Sequence, residues 1–430
     1  MRVVTVIGAG LAGCEAALQC ARLGVGVRLY EMRPGRMTPA HQTGAVAELV
    51  CSNSLKSEEV ENAHGLLKAE LKVLGCSLLR CAERARVPGG KALVVERRLF
   101  SELVAEELNR AGVELVREEL TRIPEGITIV ATGPLTSERM AEALISLVGA
   151  RRLYFYDAIA PIVAGDSLNR EKIFFGSRYG KGDDYLNCPL TEEEYDRLVT
   201  ELVRAEVYPG HEFEQIPFFE GCLPVEELAR RERRALAFGP LKPVGLIDPH
   251  TGRMPFAVVQ LRRENREGTM FNLVGFQTRL KRQEQERVFR LIPGLENAEF
   301  LRYGSIHRNT FLNSPEILLP TLQTRARKDL LIAGQLCGVE GYVESIATGL
   351  IAGINAARLA RDKAPVTMPE QTVIGGLLKY ITEPNSNFQP MNANFGLLPL
   401  PERPLRGLRK RRFLARRSLT ELKQHLSNIA

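Results

Sequence analysis

A glycine-rich loop within the first thirty-one residues constrains the fold more than any other feature of this sequence. Residues 3–7 are mostly β-branched and predict a buried strand, and residues 14–23 have a helical pattern. Between them stands the G-x-G-x-x-G order, in which the first glycine makes a tight turn, the second admits a pyrophosphate and the third lets helix and strand pack closely. The helix N-terminus can bind phosphates through free N–H groups. The loop consists of Gly8, Ala9, Gly10, Leu11, Ala12 and Gly13.

An acidic residue completes this fingerprint. A second apolar run, residues 25–30, ends at Glu31, which lies 18 positions after Gly13. A carboxylate at the end of the second strand is suited to bind a ribose hydroxyl. A plain strand–helix–strand turn explains neither the three glycines nor Glu31, so the segment predicts a bound adenine dinucleotide.

A second strand–glycine–helix unit lies in the last third of the chain. Residues 330–335 predict a strand that enters a glycine turn, and residues 342–360 predict a long helix rich in small side chains. A closing unit of this kind is typical of two-part FAD domains, so it favours FAD over NAD. We expect Gly334 and Gln335 to contact the ribityl or flavin half. Tyr342 is a candidate to stack on the isoalloxazine, with core packing as an equal alternative.

The predicted secondary structure changes along the sequence between these two units. Residues 58–80 and 97–111 predict helices, whereas residues 154–157, 172–175 and 257–261 predict short strands. We therefore predict an α/β fold with a Rossmann-like FAD-binding domain of the glutathione-reductase type. This domain is discontinuous, residues 1–154 and 301–430, and an α+β substrate domain is inserted at residues 155–300. The boundaries are good to about fifteen residues.

The positive charge of the chain is concentrated near its C-terminus. The net charge is +7, and residues 402–417 contain eight basic residues and one acidic residue. The rest of the chain is therefore close to neutral. This basic tail is suited to bind a polyanion such as nucleic acid, and a solvated arginine-rich surface is an equal alternative.

The eight cysteines do not form a metal-binding pattern. No pair has C-x-x-C spacing, which argues against zinc and iron–sulfur sites, and we expect no metal. No apolar run approaches the roughly 18 residues that cross a bilayer, and the sequence begins directly with a strand. We expect a cytoplasmic protein without membrane contact.

Sequence blocks along nearly the whole chain resemble one known family, the folate- and FAD-dependent tRNA (uracil-5-)-methyltransferases, or TrmFO family. The fingerprint is shared by many flavoproteins, whereas E-G-C-L-P at 220–224 and G-P-L-K-P-V-G-L at 239–246 are far more specific. The blocks are the glycine loop and residues 31–34, 49–54, 154–161, 185–189, 219–224, 238–246, 272–278, 292–298, 307–311, 333–345 and 388–392.

The resemblance implies a reaction and its cofactors. A one-carbon unit passes from 5,10-methylenetetrahydrofolate by way of FAD to carbon 5 of a uridine in the tRNA T-loop, position 54 in tRNA numbering. NADPH or NADH supplies the electrons and visits transiently, because the sequence has no second G-x-G-x-x-G. The tRNA T-arm is the expected partner, and no obligate protein partner is predicted.

The same resemblance assigns roles to two cysteines. Carbon 5 of uracil is a poor nucleophile until a thiolate adds to carbon 6, and a base must then remove the carbon 5 proton. By matching motif, Cys222 is the nucleophile. Cys51 is the second catalytic thiol, beside the flavin. It either accepts a proton or transiently protects the one-carbon unit. Arg33, in the block that begins at Glu31, is carried over as a cofactor-binding residue.

Substrate contacts are less well specified by the sequence. His307 is a candidate to flank the folate, although a lone histidine is more often structural. Basic side chains on two segments are candidates for phosphate contacts, with a solvated helix face as the equal alternative. These are Arg279, Lys281 and Arg282, and in the tail Arg409, Lys410, Arg411 and Arg412.

Three other functions are compatible with a flavin fold. One is the larger tRNA-modifying flavoprotein that installs carboxymethylaminomethyl groups, which has a long helical C-terminal domain that this chain lacks. The others are a small-molecule flavin oxidoreductase and a non-catalytic tRNA-binding flavoprotein. Analysis of the tRNA product separates all three from a methyltransferase.

Overall fold

The structure, a computed structural model, describes residues 2–149, 152–180, 182–208, 223–386, 388–402 and 404–429. Residues 152–157, 306–308 and 429 are described by their backbone alone. Cys222 lies outside the described residues, and the side chain of His307 does too.

The described residues form sixteen strands and thirteen α-helices, with short 3-10 turns between them. The strands are β1 (Val3–Ile7), β2 (Gly26–Tyr30), β3 (Ser54–Ser57), β4 (Arg86–Val87), β5 (Ala92–Val95), β6 (Glu114–Val116), β7 (Thr128–Val130), β8 (Arg152–Ile159), β9 (Ile162–Ala164), β10 (Phe174–Phe175), β11 (Leu186–Leu190), β12 (Ala257–Arg263), β13 (Met270–Leu273), β14 (Phe300–Arg302), β15 (Ser305–Leu312) and β16 (Leu330–Ile332). The helices are α1 (Leu11–Arg22), α2 (Ala63–Val73), α3 (Ser77–Arg84), α4 (Arg97–Arg110), α5 (Glu138–Val148), α6 (Glu192–Arg204), α7 (Val225–Arg231), α8 (Ala235–Phe238), α9 (Arg282–Phe289), α10 (Ser314–Ile317), α11 (Tyr342–Ala360), α12 (Val373–Tyr380) and α13 (Gly407–Ile429).

A five-stranded parallel sheet carries the glycine loop. Its strand order is β16-β7-β1-β2-β6, and the central strand β1 pairs with β2 and β7. Strands β7 and β16 are apolar or buried throughout, as expected where a parallel sheet is covered on both faces, whereas β2 and β6 on the other side of β1 carry exposed residues. Both strand–helix units predicted from the sequence are present, since β1 leads to α1 and β16 leads toward α11. The predicted α/β class with a Rossmann-like sheet is confirmed.

Helices α1 and α11 pack against each other at unusually short range. A Cβ atom on Gly349 would come within 2.2 Å of the carbonyl oxygen of Ala12, and one on Gly353 within 2.5 Å of the carbonyl oxygen of Ala16. Glycine is therefore required at both positions for the two backbones to approach. Helix α11 has the bounds that the sequence predicts. No helix in the described part of the chain, α11 included, has the length and apolarity needed to cross a membrane.

A second layer is built from antiparallel strands. Its six-stranded sheet has the order β10-β11-β12-β13-β9-β14, and β8 pairs with β15 in a two-stranded ribbon. The buried apolar residues form two main clusters. One draws on residues 4–144 and 311–422, and the other on residues 163–298. We propose that these clusters are the cores of the two domains predicted from the sequence.

Two helical segments differ from the sequence predictions. The helical stretch predicted over residues 58–80 consists of two helices, α2 and α3, which are separated by a turn at Gly75, where φ is +77°. Helix α1 begins at Leu11 rather than residue 14, inside the glycine loop. The basic tail lies largely on α13, whose Leu414 and Leu422 are buried in the first core.

Candidate active site

The glycine loop is built as the fingerprint requires. Gly8 has φ +98°, and a Cβ there would lie 2.6 Å from the carbonyl oxygen of Ala131. A Cβ on Gly13 would lie 1.8 Å from the carbonyl oxygen of Gly8, so the third glycine permits the close contact of helix and strand. A Cβ on Gly10 would meet nothing within 4 Å. The middle glycine therefore presents open backbone to the space in front of the loop.

That space, here called the dinucleotide cavity, has an empty volume of about 1020 Å³, including the part that is open to solvent. The N-termini of α1 and α11 both open onto it, which gives it backbone N–H donors and positive partial charge at two points. It is lined, among others, by Gly8, Gly10, Leu11, Ala12, Glu31, Arg33, Thr132, Gly133, Gly334, Gln335 and Tyr342.

Glu31 is held in place at the edge of this cavity by the loop and by Arg33. One carboxylate oxygen accepts the N–H of Ala9 at 3.0 Å, and the other accepts both the backbone N–H and Nε of Arg33 at 3.0 Å. Burial raises the pKa of Glu31, but the hydrogen bonds and charge of Arg33 outweigh it, so the pKa lies below its ordinary value. Arg33 is itself buried and also pairs with Glu48 at 3.0 Å. Glu31 therefore faces the cavity as an oriented anion.

A second cavity, here called the thiol cavity, has an empty volume of about 990 Å³, including the part that is open to solvent. It shares Val50, Pro134, Leu135, Gln335 and Tyr342 with the dinucleotide cavity, so the two cavities adjoin each other at these residues, and together they are here called the cleft. Other lining residues are Cys51, Ser52, Ser54, Leu55, Lys56, Gln277, Asn309, Glu340, Gly341 and Glu344.

Cys51 lines the thiol cavity. Its backbone N–H donates to the hydroxyl of Tyr342 at 2.8 Å. This bond gives Tyr342 a structural contact that the sequence analysis did not foresee. Among the described cysteines Cys51 alone is partly exposed. Burial raises the pKa of Cys20 to about 12 and that of Cys81 to about 11. Cys51 is thus the accessible thiol of the described set.

Three arginines hold the segment that carries Cys51. Arg97, on α4, donates to the carbonyl oxygen of Cys51 at 2.8 Å and pairs with the buried Glu264 at 2.7 Å. Arg302 donates to the carbonyl oxygen of Val50 at 2.8 Å. The side chain of Arg262 donates to the buried Asn53 at 2.9 Å. Sequence reasoning missed these residues, since each contact joins distant parts of the chain.

The described chain resumes at Leu223, directly after Cys222, and a residue close to this point contacts the lining of the thiol cavity. Val225, three residues after Cys222, donates its backbone N–H to the carbonyl oxygen of Gln277 at 2.7 Å. Gln277 lines the thiol cavity. The backbone of His307 lies in β15 opposite Asp157 of β8. Asn309, on the same strand, is buried and lines the thiol cavity.

The basic candidate residues differ in whether they already form ion pairs or ring contacts within the protein. Arg279 pairs with Glu227 and Lys281 with Glu206, and Arg282 lies over the ring of Tyr303 at 4.0 Å. Arg412 pairs with Glu61 at 3.0 Å. Within the described residues, the remaining members of the tail group have no ion pair and lie on the first turns of α13. These are Arg409, Lys410 and Arg411.

The cleft fits FAD better than a metal or a bare nicotinamide. Its first half offers oriented N–H donors and the carboxylate of Glu31, and its second half is a separate pocket with an accessible thiol. Within the described part of the chain, no cluster of three or more His, Cys, Asp or Glu side chains is arranged to hold a metal ion.

Comparison with known proteins gives consistent results. The family model described as "Glucose inhibited division protein A" matches residues 3–364. A Geobacter sulfurreducens protein is 56% identical over 99% of both chains, and one from Exiguobacterium sibiricum is 58% identical over 93% of both. Both are named methylenetetrahydrofolate–tRNA-(uracil-5-)-methyltransferase TrmFO. The solved structure of Aquifex aeolicus GidA has a TM-score of 0.71, 17% identity, and covers 98% of this chain and 73% of its own.

Replacement of Arg33 by glutamine tests the orientation of Glu31. Removal of one partner from a buried ion pair leaves an uncompensated charge, so the free energy of unfolding should fall by about 3–5 kcal/mol. FAD affinity should fall as well, because the carboxylate loses its fixed direction. Thermal unfolding and FAD titration measure the two effects.

Arg28→Gln is the matched control for this substitution. Arg28 pairs with Glu114 on the same sheet, but both side chains are largely exposed, at 46% and 59%. An exposed pair contributes little, so this variant should match the unaltered protein. Arg33→Gln behaving like Arg28→Gln in both measurements would contradict the role given to Arg33.

Proposed function

Because the chain belongs to the TrmFO family of methylenetetrahydrofolate–tRNA-(uracil-5-)-methyltransferases, we propose that it methylates carbon 5 of the T-loop uridine of tRNA. The one-carbon donor is 5,10-methylenetetrahydrofolate and the reductant is NAD(P)H. FAD is the bound cofactor, as expected for a GidA-type fold. The observation that carries the proposal is a cleft that joins the glycine loop to an accessible Cys51.

The described residues are suited to bind FAD along this cleft. We assign the pyrophosphate to the loop from Gly8 to Gly13, the ribose to Glu31, and the ribityl and flavin half to Gly334, Gln335 and Tyr342. When bound, FAD supplies the carrier for the one-carbon unit and the hydride that completes the methyl group. The chain itself fixes the position of the cofactor and of the thiols.

Two cysteines act on the uracil ring. The thiolate of Cys222 adds to carbon 6, and the electron pair displaced from the C5–C6 double bond makes carbon 5 nucleophilic. After carbon 5 has bonded to the one-carbon unit, Cys51 accepts the carbon 5 proton, and the electron pair of that C–H bond releases the unit from its carrier as a methylene doubly bonded to carbon 5. Addition of a hydride to this methylene completes the methyl group. The displaced electron pair restores the C5–C6 double bond as the bond between carbon 6 and the sulfur of Cys222 breaks. The anchoring of Val225 to Gln277 supports a position for Cys222 near the thiol cavity.

The substrate uridine must leave the T-loop to meet these thiols. A base inside a folded loop is reached by flipping it into a pocket, and the thiol cavity is the pocket of suitable size. Nicotinamide binds transiently at the same cleft. A cytoplasmic location is part of the proposal, since tRNA and reduced folates are found there.

The basic start of α13 is suited to contact the tRNA backbone. Arg412 pairs with Glu61, and α2 begins two residues after Glu61. His64 on α2 then pairs with Glu344, which lines the thiol cavity. The exposed arginines of α13 therefore lie on the side of the molecule where this cavity is found. Phosphate contacts there position the T-arm without reading its sequence.

Product analysis tests the reaction and the two thiols together. Purified protein is incubated with methylenetetrahydrofolate, NADPH and unmodified tRNA, and ribothymidine is measured by mass spectrometry of the T-loop. Cys51→Ala and Cys222→Ala should each lower turnover below about one thousandth while FAD stays bound, since residues of one catalytic unit fail together.

Cys81→Ala is the control for the loss of a thiol. Cys81 is buried on α3 and lines neither cavity, so its replacement should leave methylation largely intact. Full activity of Cys51→Ala or Cys222→Ala would remove that residue from the mechanism. Absence of ribothymidine with bound, reducible FAD would refute the proposed reaction.

Salt dependence of tRNA binding tests the basic start of α13. Replacement of the four basic residues at 409–412 by glutamine should weaken tRNA binding. The slope of log affinity against log salt concentration should become less steep by about 0.7–0.9 for each phosphate that is no longer neutralised. The control replaces four basic residues that already pair with carboxylates, Lys72, Arg98, Arg110 and Lys379. Equal slopes for both variants would contradict this contact surface.

A further inference from the structure

The connection between β10 and β11 carries an exposed tyrosine in a backbone conformation that favours glycine. Tyr179 has φ +64° and ψ +23°, and the residue is 56% exposed. The left-handed region costs free energy for any residue that has a Cβ atom. Strain of this kind is concentrated at functional sites, and an exposed ring adds nothing to the core. The conformation of Tyr179 therefore indicates a binding role for its side chain.

The loop at residues 239–246 holds Tyr179 in this conformation. The backbone N–H of Tyr179 donates to the carbonyl oxygen of Val244 at 3.2 Å. A Cβ on Gly245 would lie 2.6 Å from the backbone nitrogen of Tyr179, so the loop packs directly against it. Residues 239–246 are the G-P-L-K-P-V-G-L block, to which no step of the methyl transfer assigns a role. The block thus supports the exposed ring.

Two cations lie beside the ring of Tyr179. Nζ of Lys242 lies 5.8 Å from the ring centroid. Arg178 donates to the carbonyl oxygen of Pro240 at 2.6 Å, and neither cation forms an ion pair within the described residues. Burial lowers the pKa of Arg178, but a guanidinium stays charged in proteins. Arg178, Tyr179 and Lys242 are here called the hairpin surface, which combines an aromatic ring with positive charge.

Two short sets of contacts connect the hairpin surface with the thiol cavity. A Cβ on Gly275 would meet the side chain of Pro240 at 2.5 Å, and Gln277, two residues after Gly275, lines the cavity. The hydroxyl of Tyr185 on the hairpin donates to the carbonyl oxygen of Gly89 at 3.1 Å. Gly89 precedes β5, which pairs with β3 at the cavity wall. An RNA loop whose base enters the cavity therefore brings its neighbouring nucleotides toward this surface.

We propose that the hairpin surface binds an unpaired T-loop nucleotide next to the flipped uridine, with its base on the ring of Tyr179 and its phosphate beside Lys242 and Arg178. Aromatic side chains stack on bases of any sequence, but only unpaired bases expose a free face. Cations next to the ring suit the phosphate of the same nucleotide. The inference deepens the proposed function and rests on it, because it takes tRNA as the partner.

Tyr179→Gly separates RNA binding from folding. Glycine adopts a φ of +64° without strain, so the melting temperature should stay close to that of the unaltered protein. Loss of the ring should weaken binding of an unmodified tRNA transcript by about fivefold or more, as measured by fluorescence anisotropy. Tyr179→Phe keeps the ring and should bind normally. The salt dependence of binding should be unchanged in Tyr179→Gly but less steep in Lys242→Gln, which loses a phosphate contact.

Phe175→Ala is the matched control on the same hairpin. Phe175 is 46% exposed. Its neighbour Phe174 clusters with Leu246 of the 239–246 loop, so the alternation of side chains along a strand places Phe175 on the opposite face of the sheet. This variant should bind tRNA normally. Unchanged affinity in Tyr179→Gly, or an equal loss in Phe175→Ala, would overturn the inference.

Abasic RNA identifies the stacked nucleotide. The unpaired T-loop nucleotides beside the target uridine are replaced in turn by abasic sugars, and each RNA is titrated with the unaltered protein and with Tyr179→Gly. At the stacked position the two losses should not add, because both changes remove the same contact. Additive losses at every position would overturn the inference.

Ribothymidine formation, measured separately, distinguishes this inference from the proposed function. Binding that depends on Tyr179 in a protein that makes no ribothymidine would refute the proposed reaction and leave the hairpin surface standing. Normal ribothymidine formation with binding that is indifferent to Tyr179 would do the reverse.

Discussion

The close contact between α1 and α11 is the constraint on which the site depends. The two helices follow neighbouring parts of one parallel sheet, and the backbone of α11 at Gly349 touches that of α1 at Ala12. Because their packing is fixed at this distance, both helix N-termini open onto the same cleft. The packing thus sets the distance between the N–H groups at the start of α1, which are suited to bind phosphate, and the first turn of α11.

The segment around Cys51 shows how the two layers of the molecule meet at this cleft. Its N–H is bonded to Tyr342 of α11, and its carbonyl groups are bonded to Arg97 and Arg302. Arg97 in turn pairs with Glu264 beyond β12 in the second layer. These bonds tie the thiol to both cores, so its position depends on how the layers pack. The role proposed for Cys51 requires it to reach both a cofactor bound to the first layer and a base near the second layer. Such a role benefits from a fixed position of the thiol.

The local features of this fold were predictable from the sequence, and the long-range ones were not. The glycine loop, Glu31 and the closing helix α11 follow from short patterns with a fixed period or spacing. The bond of Arg97 to Glu264 spans 167 residues and that of His64 to Glu344 spans 280, and no local pattern encodes such pairs. The turn at Gly75 escapes prediction because one glycine in an apolar stretch is a weak break signal. The role of Cys222 rests on family resemblance, since it lies outside the described residues.

We propose that one cofactor spans both cavities, from the glycine loop to Cys51. Alkylation of Cys51 by iodoacetamide, followed by peptide mass spectrometry, tests this span directly in apoprotein, with ADP and with FAD. ADP is expected to fill the dinucleotide cavity alone, so it should leave Cys51 reactive, whereas FAD should shield it strongly. Equal labelling with FAD and with ADP, whether both protect or neither does, would contradict this span.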